Sequence, residues 1–180
     1  LYDWLIPKLF SIFYDLREYE AKEEEEIELV REPKEGYYQV KGDEELTANI
    51  EDAAFEPYKA KSFHLDHYCF DSKPENAMFW TLLKDRRISK VWFTGMLTHG
   101  QTDFVINYID PESHTVRSYY PDFLVQKDDG TYVIVEVKGD NKIDDTVVKA
   151  KAEYASQIAS ASEMTYKIIK GSEAEKGEGI

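Results

Sequence analysis

A short apolar segment that ends in opposite charges places the strongest constraint on how this chain can fold. Residues 132–137 are nearly all apolar, as in a β-strand that is covered on both faces. The segment nevertheless ends in Glu136-Val137-Lys138. Because side chains alternate along a strand, Glu136 and Lys138 share one face. Ionised groups at the end of a buried strand cost free energy unless they are paired or bind a metal.

The preceding predicted strand adds a third charge, Asp122, and is joined to the next strand by Asp128-Asp129-Gly130. A three-residue loop with glycine in the left-handed conformation is a common hairpin connection, and it would place Lys127 opposite Thr131. Counting back along both strands then puts Asp122 opposite Glu136. Since opposed Cβ atoms lie roughly 4.5–5.5 Å apart, two carboxylates there repel each other unless a cation such as Mg²⁺ lies between them.

The segments around this hairpin predict an α/β or α+β core with a central mixed sheet flanked by helices. Helices are expected at 72–84 and 145–161, and strands at 62–70, 88–96, 102–109, 115–126, 131–138 and 164–170. Residues 1–60 are interpreted as a helical and acidic segment that serves as a linker or docking region. The core would span residues 61–170, and residues 171–180 would form a disordered polar tail.

The formal net charge of −14 argues against a nucleic-acid partner, since phosphate binding requires lysine and arginine. Residues 1–60, however, hold 17 acidic and 7 basic residues, a net of −10, whereas residues 61–170 have a net of only −2. The acidity is therefore weak evidence about the predicted core. A single cysteine and the lack of an apolar run of bilayer length predict a cytoplasmic protein with no membrane partner. Because the chain begins at Leu1, we expect a fragment of a longer polypeptide.

Pro121-Asp122, followed after thirteen residues by Glu136-Val137-Lys138, resembles the signature of the PD-(D/E)XK nuclease superfamily. The stretch from about residue 68 to 154 also resembles the C-terminal endonuclease domain of type III restriction-enzyme helicase subunits. This likeness is carried by Phe70-Asp71-Ser72 before a helix containing Glu75, by 118–123, by Asp129-Gly130 and by 135–139. The resemblance implies a restriction-endonuclease-like fold and metal-dependent hydrolysis of DNA phosphodiester bonds. It also implies a helicase or ATPase region in the same or a partner chain, and a homodimer for double-strand cleavage.

The resemblance implies a role for each of four residues. Asp122 and Glu136 would hold Mg²⁺, which Mn²⁺ can replace, and Lys138 would position or activate the attacking water. Glu75 would help to bind the metal through water. Two alternatives stay open: Lys138 simply pairs with Glu136 or Asp122, and Glu75 simply completes the S-x-x-E capping box of Ser72-Lys73-Pro74-Glu75.

Two further residues are predicted to bind nucleic acid. Lys151 and Tyr154 are three positions apart and share a helix face. Related nucleases often carry a glutamine and a tyrosine there, near the DNA, and this chain has Lys151 where the glutamine falls. The alternative is a solvated lysine beside a half-buried tyrosine.

Two hypotheses compete with an active nuclease. The first is a catalytically inactive nuclease-fold module that binds nucleic acid or docks to a motor protein. The second is a structural tail of a motor, with the acidic first third as its partner-binding surface. The intact set of Asp122, Glu136 and Lys138 favours the enzyme, because a retired site tends to lose a ligand.

Overall fold

The computed structural model describes residues 27–31, 44–62, 65, 67–97, 100–178 and 180. Most of the segment 1–60, interpreted from the sequence as helical and acidic, lies outside the described residues. Eight strands are β1 (Thr47–Asn49), β2 (His67–Cys69), β3 (Ile88–Phe93), β4 (Ile106–Ile109), β5 (Val116–Tyr119), β6 (Phe123–Lys127), β7 (Tyr132–Lys138) and β8 (Thr165–Lys170). Three helices are α1 (Lys73–Lys84), α2 (Thr146–Ala161) and α3 (Gly171–Glu175), and 3₁₀ turns lie at Glu44–Leu46 and Glu56–Lys61.

A mixed four-stranded sheet forms the centre of the fold, in the spatial order β3-β6-β7-β8. The pairs β3-β6 and β6-β7 are antiparallel, and β8 runs parallel to β7 after the crossover through α2. The pairs β1-β2 and β4-β5 are separate two-stranded sheets. The predicted core, a central mixed sheet flanked by helices, is confirmed. None of the helices in the described part of the chain is long and apolar enough to cross a membrane.

The two faces of the central sheet are covered by different helices. The inward residues of α1 pack with one face, in a buried cluster that includes Met78, Phe79, Leu82, Val91, Phe93, Phe123, Val133, Val135 and Val137. Helix α2 covers the other face, where its small residues Ala155 and Ala159 join a cluster containing Leu124, Ile134, Tyr108 and Tyr119. Burial on both faces explains why β7 is nearly continuously apolar.

The strand predicted over 115–126 is in fact two strands in two sheets. The chain leaves β5 after Tyr119, and Pro121, which has no N–H to donate, separates it from β6. The backbone N–H groups of Thr94 and Gly95 donate to the Asp122 carbonyl, at 2.8 and 3.1 Å, and hold this crossing against the end of β3. The β4-β5 hairpin is therefore an insertion between two strands of the central sheet.

The tail predicted to be disordered contains structure. Gly171–Glu175 form α3, in which Ala174 is fully buried in the cluster beneath α1. Asp140 accepts hydrogen bonds from the Ser172 amide at 3.0 Å and from its hydroxyl at 2.6 Å. A Cβ at position 171 would lie 3.2 Å from the Pro74 ring, so glycine allows the close contact with α1. The polar composition of this segment hides these tertiary contacts.

The described part of the first sixty residues packs on the same core. Phe55 is fully buried, and its ring stacks on Tyr68 at 5.4 Å and on Phe79 at 6.1 Å between centroids. Ala48 in β1 is also buried in this cluster. Residues 44–60 therefore contribute directly to the packing of α1.

Candidate active site

The turn between β6 and β7 has the predicted form. Gly130 has a φ of +86°, and the Lys127 amide donates to the Thr131 carbonyl at 2.8 Å. The register that follows along β6 and β7 brings Asp122, just before β6, beside Glu136 on β7. The placement of Asp122 beside Glu136, predicted from the turn, is confirmed.

Backbone hydrogen bonds lock the two carboxylates into this arrangement. The Val137 amide donates to Asp122 Oδ2 at 2.8 Å, and the Asp122 amide donates to Glu136 Oε2 at 3.3 Å. Each acidic side chain therefore caps the other strand's backbone, because the ladder between β6 and β7 ends at this point.

Glu136 is among the largest fully buried side chains of the described residues, with 2% of its surface exposed. Its Oε1 forms an ion pair with the Lys138 ammonium, and its Oε2 accepts from the Tyr119 hydroxyl. This is the pairing that the sequence left open as the simple explanation of Lys138. Burial alone would lower the pKa of Lys138, but attraction to Glu136 and Asp122 outweighs burial and raises it. Lys138 is therefore a cation at neutral pH.

The surroundings of Asp122 disfavour the ionised form of its carboxyl group. Burial, followed by repulsion from Glu136, raises the pKa of Asp122 well above its ordinary value of 3.8, and Lys138 opposes this rise only in part. A Cβ at position 95 would lie 2.9 Å from the Phe93 ring and 3.2 Å from Asp122 Oδ1, so glycine permits the close approach of this segment to Asp122. An additional cation at this oxygen would relieve the cost of ionising Asp122.

A second lysine enters the site from α2. The Lys151 ammonium lies over the rings of Tyr108 and Tyr119, 5.4 and 5.3 Å from their centroids. Burial, followed by repulsion from Lys138, lowers the pKa of Lys151, whereas Glu136 and Asp122 act in the opposite direction. Lys151 is thus partly buried over the two rings and within electrostatic reach of Glu136 and Asp122. Tyr154, one turn further on, is partly buried in the cluster beneath α2.

Glu75 caps the first turn of α1. Its Oε1 accepts from the Ser72 hydroxyl at 2.8 Å, and the Ser72 oxygen lies 3.4 Å from the Glu75 amide. Its Oε2 accepts from the amide of Asp71, one residue before the predicted partner Ser72, at 3.0 Å. Burial is the main cause that raises the pKa of Glu75, and the charge of Lys138 lowers it. Glu75 is therefore a cap that lies close to the site.

The structure does not gather Glu75 with Asp122 and Glu136 into one ligand set. Among the described residues, no three His, Cys, Asp or Glu side chains are placed to hold a metal ion together. Asp122 and Glu136 nevertheless supply carboxylate oxygens, which suit a hard divalent cation. The raised pKa of Asp122 fits such a cation, which would compete with Lys138 for Glu136.

Three residues of the site were not predicted: Gly95, Tyr108 and Tyr119. Tyr108 and Tyr119 come from the β4-β5 insertion, and Gly95 comes from the end of β3. None of them has a local sequence signal, because each reaches the site through contacts between elements that are distant in sequence. Tyr119 does lie in the stretch 118–123 that carries the family resemblance.

In chain order, the core consists of α1, the strands β3, β6 and β7, then α2 and the parallel strand β8. Asp122 immediately precedes β6, and Glu136-Val137-Lys138 end β7. This arrangement is that of a restriction-endonuclease-like fold.

A family model described as TnsA-like endonuclease N terminal matches residues 98–171 of the chain. The matched part runs from the loop after β3 to the first residue of α3, and it contains Asp122, Glu136, Lys138 and Lys151. No curated protein gives a significant match to the chain. The similarity to an endonuclease domain indicates a nuclease, and it does not confirm the more specific resemblance to type III restriction subunits.

Proposed function

We propose that this chain is a metal-dependent endonuclease domain that hydrolyses DNA phosphodiester bonds. The observation that carries the proposal is the placement of Asp122 beside Glu136 and Lys138 at the end of β7. This cluster lies within the residues that are similar to a TnsA-like endonuclease. Buried, mutually perturbed charges of this kind are typical of functional sites.

Asp122 and Glu136 are the residues that would hold Mg²⁺ or Mn²⁺, which would supply Lewis-acid and water-activating chemistry. Lys138 is charged and reaches the same carboxylate, so it is placed to orient the attacking water and to offset charge on the phosphate. Glu75 lies near enough for its charge to act on Asp122 and Lys138, and we assign it a supporting role through water.

The substrate contacts come from α2 in this proposal. Lys151 supplies a second positive charge beside the carboxylates, which suits an adjacent phosphate, and Tyr154 lies one turn away on the same helix. Two fixed lysines in the site give a local attraction for phosphate despite the overall charge of −14. A helicase or ATPase partner and a homodimer for double-strand cleavage stay predictions.

Cleavage of supercoiled plasmid DNA tests the proposal, because a closed circle has no end for an exonuclease. We expect nicking with Mg²⁺ or Mn²⁺ and none with EDTA. Asp122→Asn and Lys138→Met should each lower the rate by about 10²–10³-fold, the effect of losing several kcal/mol of transition-state stabilisation. The matched control is Asp128→Asn, at the exposed turn of the same hairpin, which should cleave at the normal rate.

Glu75→Gln separates the two roles of Glu75. Glutamine keeps an oxygen that can accept from the Asp71 amide or the Ser72 hydroxyl, so the cap should persist. A supporting role in the site should lower cleavage, whereas an unchanged rate would leave capping as the whole account. If the original chain binds DNA in a gel shift but never nicks it with either metal, the inactive binding module replaces the nuclease.

A further inference from the structure

We infer that Tyr119 is a positioning residue that holds the Glu136 carboxylate in its working orientation. This inference rests on the proposed function, because it concerns the residue through which Tyr119 would act. Tyr119 is the last residue of β5, and only 5% of its surface is exposed. Its hydroxyl donates a hydrogen bond to Glu136 Oε2.

The two oxygens of Glu136 have different partners, and Tyr119 keeps them different. Oε2 accepts from the Tyr119 hydroxyl and from the Asp122 amide at 3.3 Å, so two donors oppose rotation of the carboxylate. Oε1 is thereby directed to the Lys138 ammonium. Without the hydroxyl, a single long amide contact would hold Oε2.

The hydrogen bond from Tyr119 links two separate sheets of the fold. The β4-β5 hairpin is a sheet of its own that is not hydrogen-bonded into the central sheet. A hydroxyl from the inserted hairpin thus reaches a carboxylate of the central strand β7. A hydrogen bond to a charged acceptor is stronger than one between neutral groups.

Partners that orient metal-binding side chains typically contribute 10–100-fold to metal affinity or activity. Tyr119→Phe removes the hydroxyl and keeps the ring over which Lys151 lies, so it isolates the hydrogen bond. We expect Mn²⁺ alone to bind about 10–100-fold more weakly to this variant. The kcat for plasmid nicking should fall, whereas KM for DNA should stay unchanged because the charges that face the phosphate are retained.

The matched control is Tyr68→Phe. Tyr68 is a fully buried tyrosine whose hydroxyl donates to Ser62 Oγ at 3.2 Å, in the cluster on the α1 face. It should lower thermal stability as any lost buried hydroxyl does, yet bind Mn²⁺ as the original chain does. Binding of Mn²⁺ is measured by calorimetry, and thermal unfolding in EDTA is recorded for all three proteins.

The outcomes separate this inference from the proposed function. If the original chain neither binds Mn²⁺ nor nicks DNA, the proposed function fails and takes the inference with it. If the original chain does both and Tyr119→Phe binds Mn²⁺ equally well, the inference alone is overturned. Should Tyr119→Phe fail to fold, Tyr119→Met takes its place, because it also removes the hydroxyl and fills the site with an adaptable apolar side chain. A weaker Mn²⁺ affinity then supports the inference, and an unchanged affinity overturns it.

Discussion

The two ends of the β6-β7 hairpin carry the same kinds of residue and have opposite electrostatics. At the turn, Asp129 is exposed, and hydrogen bonds from Thr131 lower the pKa of its carboxyl. At the other end, burial first and then repulsion from Glu136 raise the pKa of Asp122 well above its usual range. Residue type therefore does not decide what an acidic group does here, because burial and the sign of its neighbours do.

The two ends also differ in what compensates their charges. Water and local hydrogen bonds stabilise the turn carboxylates, so they favour folding and need no other partner. At the other end, Lys138 pairs with Glu136, and the repulsion between Asp122 and Glu136 is offset only in part. A site that is costly when empty and favourable when occupied binds its ligand selectively in the folded state.

The largest expected effect comes from removing a lysine at each end. Lys138→Met leaves the buried Glu136 charge without its ion-pair partner and should destabilise the metal-free fold by about 3 kcal/mol. Lys127→Met, at the turn end of β6, should change stability by no more than about 0.5 kcal/mol. Urea unfolding in EDTA measures both. Equal losses of stability in the two variants would contradict the electrostatic difference between the two ends of the hairpin.

A somewhat smaller effect should follow from adding metal. At about 100 times its dissociation constant, Mn²⁺ stabilises the folded state by roughly 2.7 kcal/mol, a rise in Tm of about 5–10 °C for a chain of this size. Asp122→Asn should abolish the rise, and Asp129→Asn should keep it. Thermal unfolding with EDTA and with millimolar Mn²⁺ provides the measurement. If the Tm of the original chain does not change with Mn²⁺, the charge cluster is purely structural.

The smallest effect is a difference in pH dependence, measured without metal. Because the folded pKa of Asp122 is raised, its contribution is present below its unfolded pKa of about 3.8 and is lost as pH rises toward the folded pKa. The stability of Asp122→Asn relative to the original chain should therefore increase as pH rises above 4. The increase should be a few °C in Tm, or on the order of 1 kcal/mol.

Asp129 should behave in the opposite way. Its folded pKa is lowered, so its stabilisation is present above about pH 3.8 and is lost as pH falls through the folded pKa. The original chain and Asp129→Asn should thus converge in Tm only in acid. If both variants showed the same pH trend, burial would not be the cause of the difference between the two ends.

Much of the fold followed from local patterns. The helices at Lys73–Lys84 and Thr146–Ala161 lie where the sequence predicted helices, and Ser72 and Asp145 accept from their first-turn amides. The predicted strand over 115–126 was wrong because a run of β-favouring residues does not reveal which sheet each part joins. The segment predicted to be a disordered tail instead contains α3. This helix depends on contacts with Asp140 and Pro74, which local composition does not reveal.

The sequence by itself determined the register of the site. A three-residue turn ending in Gly130 aligns Asp122 with Glu136, since hairpin pairing propagates residue by residue from the turn. Only the tertiary structure decided how those charges behave. Their burial depends on packing between β5, β7 and α2. The same packing brings the Tyr119 hydroxyl to Glu136 and places the Lys151 ammonium over two tyrosine rings. Such contacts carry no local sequence signal, because the energies that select them come from groups far apart in the chain.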